Sequence, residues 1–105
     1  MSEIQQKSKK IIKLLNDINN DECNEEIKIK LSFLIKKYTI VDNLLNDKLY
    51  NLALALIEKL KQWRTHNINN YLFSSNDERC KELIDNLLQH KLNVMTVVYR
   101  ENNII

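Results

Sequence analysis

The chain contains no glycine and no proline, and each absence removes a class of function before any motif is sought. Dinucleotide-binding glycine loops and phosphate-cradling P-loops need backbone that approaches a ligand without a Cβ, so both are excluded. An oxyanion hole built on a glycine-rich turn is excluded on the same ground, and tight hairpins lose their favoured residues. Cysteine is scarce. Cys23 and Cys80 lie far apart and form no Cys-x-x-Cys pair, so neither a disulfide framework nor a zinc ribbon is indicated and a reducing, cytoplasmic location is expected. No apolar run is long enough to cross a bilayer, and Met1 leads into Ser2, Glu3 and Gln5 rather than a basic segment followed by an apolar one. Neither a membrane span nor a secretory signal is therefore expected. Charge of one sign is lacking too: 16 Lys plus Arg against 14 Asp plus Glu leaves +2, too little to steer the protein to a polyanion.

What is present is the composition of a soluble helical domain. With 105 residues, 44% of them hydrophobic, the chain can bury one core but not two, so residues 1–105 read as a single domain. The expected fold class is all-α, a single antiparallel bundle of four to five helices with a C-terminal tail or short extra helix.

The apolar residues repeat at helical spacing. Ser2 with Gln5 forms a capping-box pattern, followed by a stripe of Ile4, Ile11, Leu15 and Ile18. Asn19 and Asn20 are read as the end of that helix, and Asn69 and Asn70 likewise, because asparagine best tolerates the left-handed conformation when glycine is absent. A second helix is expected from about Asn24 to Tyr38, with Glu25 and Glu26 in its first turn and Lys36 and Lys37 in its last. The residues Ile27, Ile29, Leu31, Phe33 and Ile35 also alternate with period two, but no partner strand is evident and the pattern reaches Tyr38 only at helical spacing. Thr39 with Asp42 is a second cap candidate. From Val41 the positions Leu45, Leu49, Leu52, Leu56, Leu60 and Trp63 keep helical register, with a break expected at Asn46 and Asp47. The stretch Leu49 to Ile57 is apolar nearly all round, the signature of a central helix, and Trp63 reads as a core or rim anchor.

Residues 65–74 form the longest expected connection, with Ile68, Tyr71, Leu72 and Phe73 tucked in part against the core. Ser75 with Glu78 starts a further helix through Cys80, Leu83, Ile84, Leu87 and Leu88, ending in basic His90 and Lys91. The tail from Asn93 is open between one more helical face and an extended run, Val94 to Tyr99.

Candidate chemistry is thin. His66, His90, Cys23 and Cys80 are singletons, so no metal site is expected. The pairs Glu25/Glu26 and Asp77/Glu78 sit where helix dipoles favour negative charge, and capping explains them better than acid–base catalysis. Lys7, Lys9, Lys10 and Lys13, with Lys28, Lys30, Lys36 and Lys37, crowd the first two helices but lack interleaved aromatics, so a solvated face is expected rather than nucleic-acid binding. Four stripes suffice to close a bundle, which leaves Ile68, Tyr71, Val94, Met95, Val98, Tyr99 and Arg100 as candidate partner-binding residues, with Ile104 and Ile105 in the same tail. On that reading a chain lacking residues 93–105 keeps most of its helicity.

The layout resembles the immunity proteins of pediocin-like bacteriocins. Lys9-Lys10-Ile11-Ile12-Lys13-Leu14-Leu15-Asn16-Asp17-Ile18 matches their first helix, Leu56-Ile57-Glu58-Lys59-Leu60 their third, and Phe73-Ser74-Ser75-Asn76-Asp77-Glu78 the approach to their fourth. The resemblance implies an antiparallel four-helix bundle, no enzymatic activity, no cofactor, and cytosolic protection exerted at a bacteriocin-targeted sugar permease, with the C-terminal part governing recognition. A lesser resemblance, to the N-terminal domain of transcription elongation factor S and the integrase-binding domain, rests on Leu31 to Leu45 and Glu78-Arg79-Cys80-Lys81-Glu82-Leu83-Ile84. It implies an adaptor that docks peptides. Leu14-Leu15-Asn16-Asp17-Ile18-Asn19-Asn20 and Asp47 to Leu60 are similar to the helical domain shared by a COPII coat subunit and the steroid receptor RNA activator protein.

Overall fold

Helix α1 (Glu3–Asp21) begins where the capping box places it. The Gln5 amide donates to Ser2 Oγ at 3.2 Å and the Ser2 amide donates to Gln5 Oε1 at 3.4 Å, so two amides left free by the first turn are satisfied reciprocally. The computed structural model describes residues 2–102; Ile104 and Ile105 lie outside the described residues. Helix α2 (Glu25–Asn46) starts under the Asn24 cap, whose Oδ1 accepts from the Glu26 and Ile27 amides. It does not stop at Tyr38. Thr39 donates its hydroxyl back to the Ile35 carbonyl at 2.8 Å, a bond made within a helix, and so caps nothing. Tyr38, Val41 and Leu45 continue the buried stripe of Leu31 and Leu34 to the end of α2.

The break at Asn46 and Asp47 is where the sequence places it, but the left-handed residue is neither asparagine nor aspartate. It is Lys48, at φ 59°. The Lys48 amide donates to Leu45 and the Leu49 amide to Leu44, the paired bonds of a Schellman ending. Asn19 and Asn20 lie inside α1, which ends on Glu22 in an extended conformation. Asn69 and Asn70 open a helix instead of closing one.

Helix α3 (Tyr50–Asn67) runs to Ile68, where the backbone breaks at φ −142° before the short helix α4 (Asn69–Ser74). The expected long connection is thus largely helical, with Ile68 and Leu72 buried and Phe73 exposed. Helix α5 (Glu78–Asn102) carries the tail in one continuous run. Its start is set by Asp77, which accepts from the Arg79 amide at 2.9 Å, while Ser75 Oγ accepts from the Asp77 amide at 3.1 Å. The cap therefore lies two residues beyond the Ser75 that the sequence suggests.

α1, α2, α3 and α5 form a closed ring, each packed on two neighbours, with α4 wedged against α3 and α5. The joints show the antiparallel order. Lys28 Nζ, at the start of α2, reaches the Asn19 carbonyl at the end of α1. Arg79, at the start of α5, donates to the Asp17 carbonyl and the Asp21 carboxylate near the same end of α1. This is the all-α antiparallel bundle expected, and among the described residues every regular element is a helix.

A four-membered ring has no central helix, which corrects the reading of α3. Ala53, Ile57 and Leu60 face inward, whereas Leu52 is 57% exposed. Trp63 is a rim anchor, half-buried with its ring 4.4 Å from that of Phe33 across the α2/α3 seam. The tail is corrected as well. Val94 and Val98, one turn apart, are core residues, so tertiary packing overrides the extended preference of a β-branched run. His90 does not end a helix; it sits in mid-α5, fully buried.

Candidate functional site

Helix α5 carries two apolar stripes. Cys80, Leu83, Leu87, His90, Val94 and Val98 face the core. Ile84, Leu88, Leu92, Met95 and Tyr99 repeat at intervals of four, four, three and four residues, roughly a third of a turn away. Leu88, Leu92 and Tyr99 on this second stripe are 56%, 44% and 60% exposed.

One end of the stripe opens into a cleft of about 200 Å³ between α3, α4 and α5. Ile57, Leu72, Ile84, Leu87 and Leu88 give it an apolar floor and Phe73 stands at its edge, 67% exposed. Lys61, Arg64 and Lys91 also line it, and no carboxylate does. Among the described residues none of the three cations is ion-paired; Arg64 instead donates to the Tyr38 hydroxyl at 3.0 Å. By contrast Lys9, Lys10, Lys13 and Lys30, among the crowded lysines of α1 and α2, face Asp42, Glu82, Asp17 and Glu26.

The partner-binding candidates from the sequence separate accordingly. Ile68, Val94 and Val98 are buried and present no surface in the folded chain. Tyr71 is half-buried and its hydroxyl donates to Glu22 in the α1–α2 joint. Burial and this bond push the Tyr71 phenol well above its usual range, and the same bond holds the Glu22 carboxyl below its own. Met95 and Tyr99 lie on the exposed stripe, and Arg100 is exposed just beyond it. Lys61, Arg64, Phe73, Leu88 and Lys91 are not readable as a group from spacing, since the packing of α3, α4 and α5 brings them together only in the fold. The four-residue repeat from Ile84 to Leu92 was the signal available in the sequence.

No family model, curated protein or solved structure matches the chain.

A second constellation lies inside the bundle. Ser8 donates to Asp42 Oδ1, Lys9 pairs with Asp42 Oδ2 at 3.2 Å, and His90 stands near enough to feel the Asp42 charge. The residue types are those of a nucleophile relay, but the geometry is not. The hydroxyl is bonded to the carboxylate directly, neither ring nitrogen of His90 has a protein partner, and both Ser8 and His90 are fully buried, whereas a relay needs the imidazole to take the hydroxyl proton beside an accessible substrate. Among the described residues no group of three or more His, Cys, Asp or Glu side chains could hold a metal ion. No described helix is long and apolar enough to cross a membrane.

Proposed function

We propose that this chain works by binding another protein and performs no chemistry of its own, with the cleft and the outer stripe of α5 as its contact face. The observation that carries this is the line of large apolar side chains left open on one continuous helix: Leu88, Leu92 and Tyr99, continued by Phe73 across the cleft. Contiguous exposed apolar surface is uncommon on monomeric proteins and marks interaction sites. Aromatic, methionine and arginine side chains, here Phe73, Tyr99, Met95 and Arg64, are enriched in such sites.

The setting we propose is immunity: a cytosolic protein that protects its producer against a cognate pediocin-like bacteriocin by engaging the targeted permease complex from the cytosolic side. The antiparallel ring of four long helices supports this reading, as does an apolar face on the last of them. Neither cofactor, metal nor nucleic acid takes part.

The test is expression of the full chain in a bacteriocin-sensitive lactic acid bacterium, with survival scored against a panel of pediocin-like bacteriocins. Protection is expected, and its loss in a Leu88→Asp/Leu92→Asp variant, whose positions are exposed enough to leave folding intact. If no bacteriocin is resisted at verified expression, the immunity setting fails. If the double variant protects as well as the parent, the contact face is wrong.

A further inference from the structure

We propose that the segment seated on this face is an acidic amphipathic helix of the partner. The inference rests on the reading of the α4/α5 face as the contact site and adds the chemistry of what binds there. Two observations determine it. The first is charge: Lys61, Arg64 and Lys91 surround an apolar floor with no carboxylate in the lining, and among the described residues none of the three is ion-paired. Cations without counter-charges beside a low-dielectric surface favour a partner carrying carboxylates at the matching positions.

The second is shape. From Leu88 to Tyr99 the exposed stripe runs about 16 Å along the helix axis at 1.5 Å per residue, three turns in length. Apolar side chains recurring at intervals of four and three residues present the ridges and grooves into which another helix packs. A lipid chain or small ligand is a poorer fit, because such ligands are held in pockets that enclose most of their surface. Leu88 and Tyr99 stand more than half in solvent. The partner helix lies along the stripe with one large apolar residue in the cleft beside Phe73 and its acidic flank over Lys61 and Lys91.

The test uses the full chain and two fluorescein-labelled synthetic helices of about 16 residues, about 24 Å long and so able to span the stripe with flanking residues to spare. Both carry leucines at the four–three–four spacing; one has Glu and the other Lys at the remaining exposed positions. Fluorescence anisotropy is expected to show binding of the acidic helix and binding weaker by about tenfold or more for the basic one. A Lys61→Glu/Lys91→Glu variant is expected to lower affinity for the acidic helix by about tenfold and to raise it for the basic one. Should the double variant fold poorly, Lys61→Glu alone, at an exposed position, reads the same preference. Equal binding of the two helices, or binding unchanged by charge reversal, overturns the proposal. Binding of sodium laurate with neither helix bound replaces it with an anionic lipid. Protection that depends on Leu88 and Leu92 while neither helix binds leaves the contact face standing and removes the acidic helix. Binding of the acidic helix without protection keeps the contact face and the acidic helix and removes the immunity setting.

Discussion

His90 makes the stability of this bundle depend on pH above the carboxylate range. Its side chain is fully buried, its ring centroid lies 6.3 Å from that of Tyr38, and neither ring nitrogen has a protein partner. Burial dominates its titration, pulling its pKa from 6.5 to about 4; the Asp42 carboxylate on α2 opposes this and Lys7 on α1 reinforces it. The folded chain therefore binds fewer protons than the unfolded chain between those two values. Stability is full above pH 6.5, falls as pH drops toward 4, and levels below that as far as this residue is concerned. At about 1.4 kcal/mol per pH unit the interval is worth about 3 kcal/mol, a large share of the 5 to 15 kcal/mol typical of a domain. Carboxylates contribute in a lower window. The Tyr71 hydroxyl holds Glu22 below its ordinary 4.5 and the Arg79 guanidinium holds Asp77 below 3.8, so their contributions are lost at greater acidity. Urea unfolding followed by circular dichroism from pH 7.5 to 4.5 should show the decline, and His90→Leu should flatten it. At pH 7.5 the leucine should also raise stability by about 1 to 3 kcal/mol, because it removes a buried donor and acceptor that nothing satisfies. A His90→Leu protein with the same pH slope as the parent would refute the argument.

Three further outcomes follow from the packing. Lys48→Gly should stabilise the protein by about 1 kcal/mol in the same urea assay, since Lys48 holds φ 59° at the end of α2 and a side chain there costs about 1–2 kcal/mol that glycine partly recovers; a loss of stability would mean the turn relaxes in solution. Leu31→Ala, at a fully buried position, should cost about 2 to 5 kcal/mol, while Leu52→Ala, 57% exposed, should cost under about 1 kcal/mol; equal costs would restore the reading of α3 as a central helix. Ending the chain after Leu92 should abolish the cooperative melt, because Val94 and Val98 leave the core together, each worth about 1.5 to 3 kcal/mol; a truncated chain that keeps its helicity and melts sharply would return residues 93–102 to the status of a surplus tail.

Local signals survive in the structure where the interaction they describe is itself local. The Ser2–Gln5 box, the start of α2 at Asn24 and the break at Asp47 rest on contacts between residues two to five positions apart, and each is where the sequence puts it. Thr39 and Ser75 fail for a reason that spacing cannot reveal. A hydroxyl can serve a cap, an i−4 carbonyl or a turn, and the choice depends on whether the chain on both sides has a core to pack against. Thr39 has Tyr38 and Val41 beside it, both fully buried, and the helix continues.

The same limit explains why the candidate site was only half legible. Periodicity identifies that a helix is amphipathic, but α3 and α5 each carry apolar residues over more than one stripe, and periodicity does not say which stripe turns inward. In α3 the inward set includes the small Ala53, while the larger Leu52 beside it faces out; a reading weighted by side-chain size selects the wrong one. In α5 the inward set includes His90, which such a reading takes for a solvent-facing helix end. Assigning His90, Val94 and Val98 to the core frees Leu88, Leu92 and Tyr99 for the surface. Met95 and Tyr99 thus lie on the outer stripe, while Val94 and Val98, one residue away from them, lie in the core. The face then acquires its direction from α4, a six-residue helix that sets Phe73 at the cleft edge. That placement follows from the chain break at Ile68, a buried residue between α3 and α4, so the aromatic edge of the cleft is positioned by a residue that spacing alone assigns to the contact surface, while its cations come from α3 and α5.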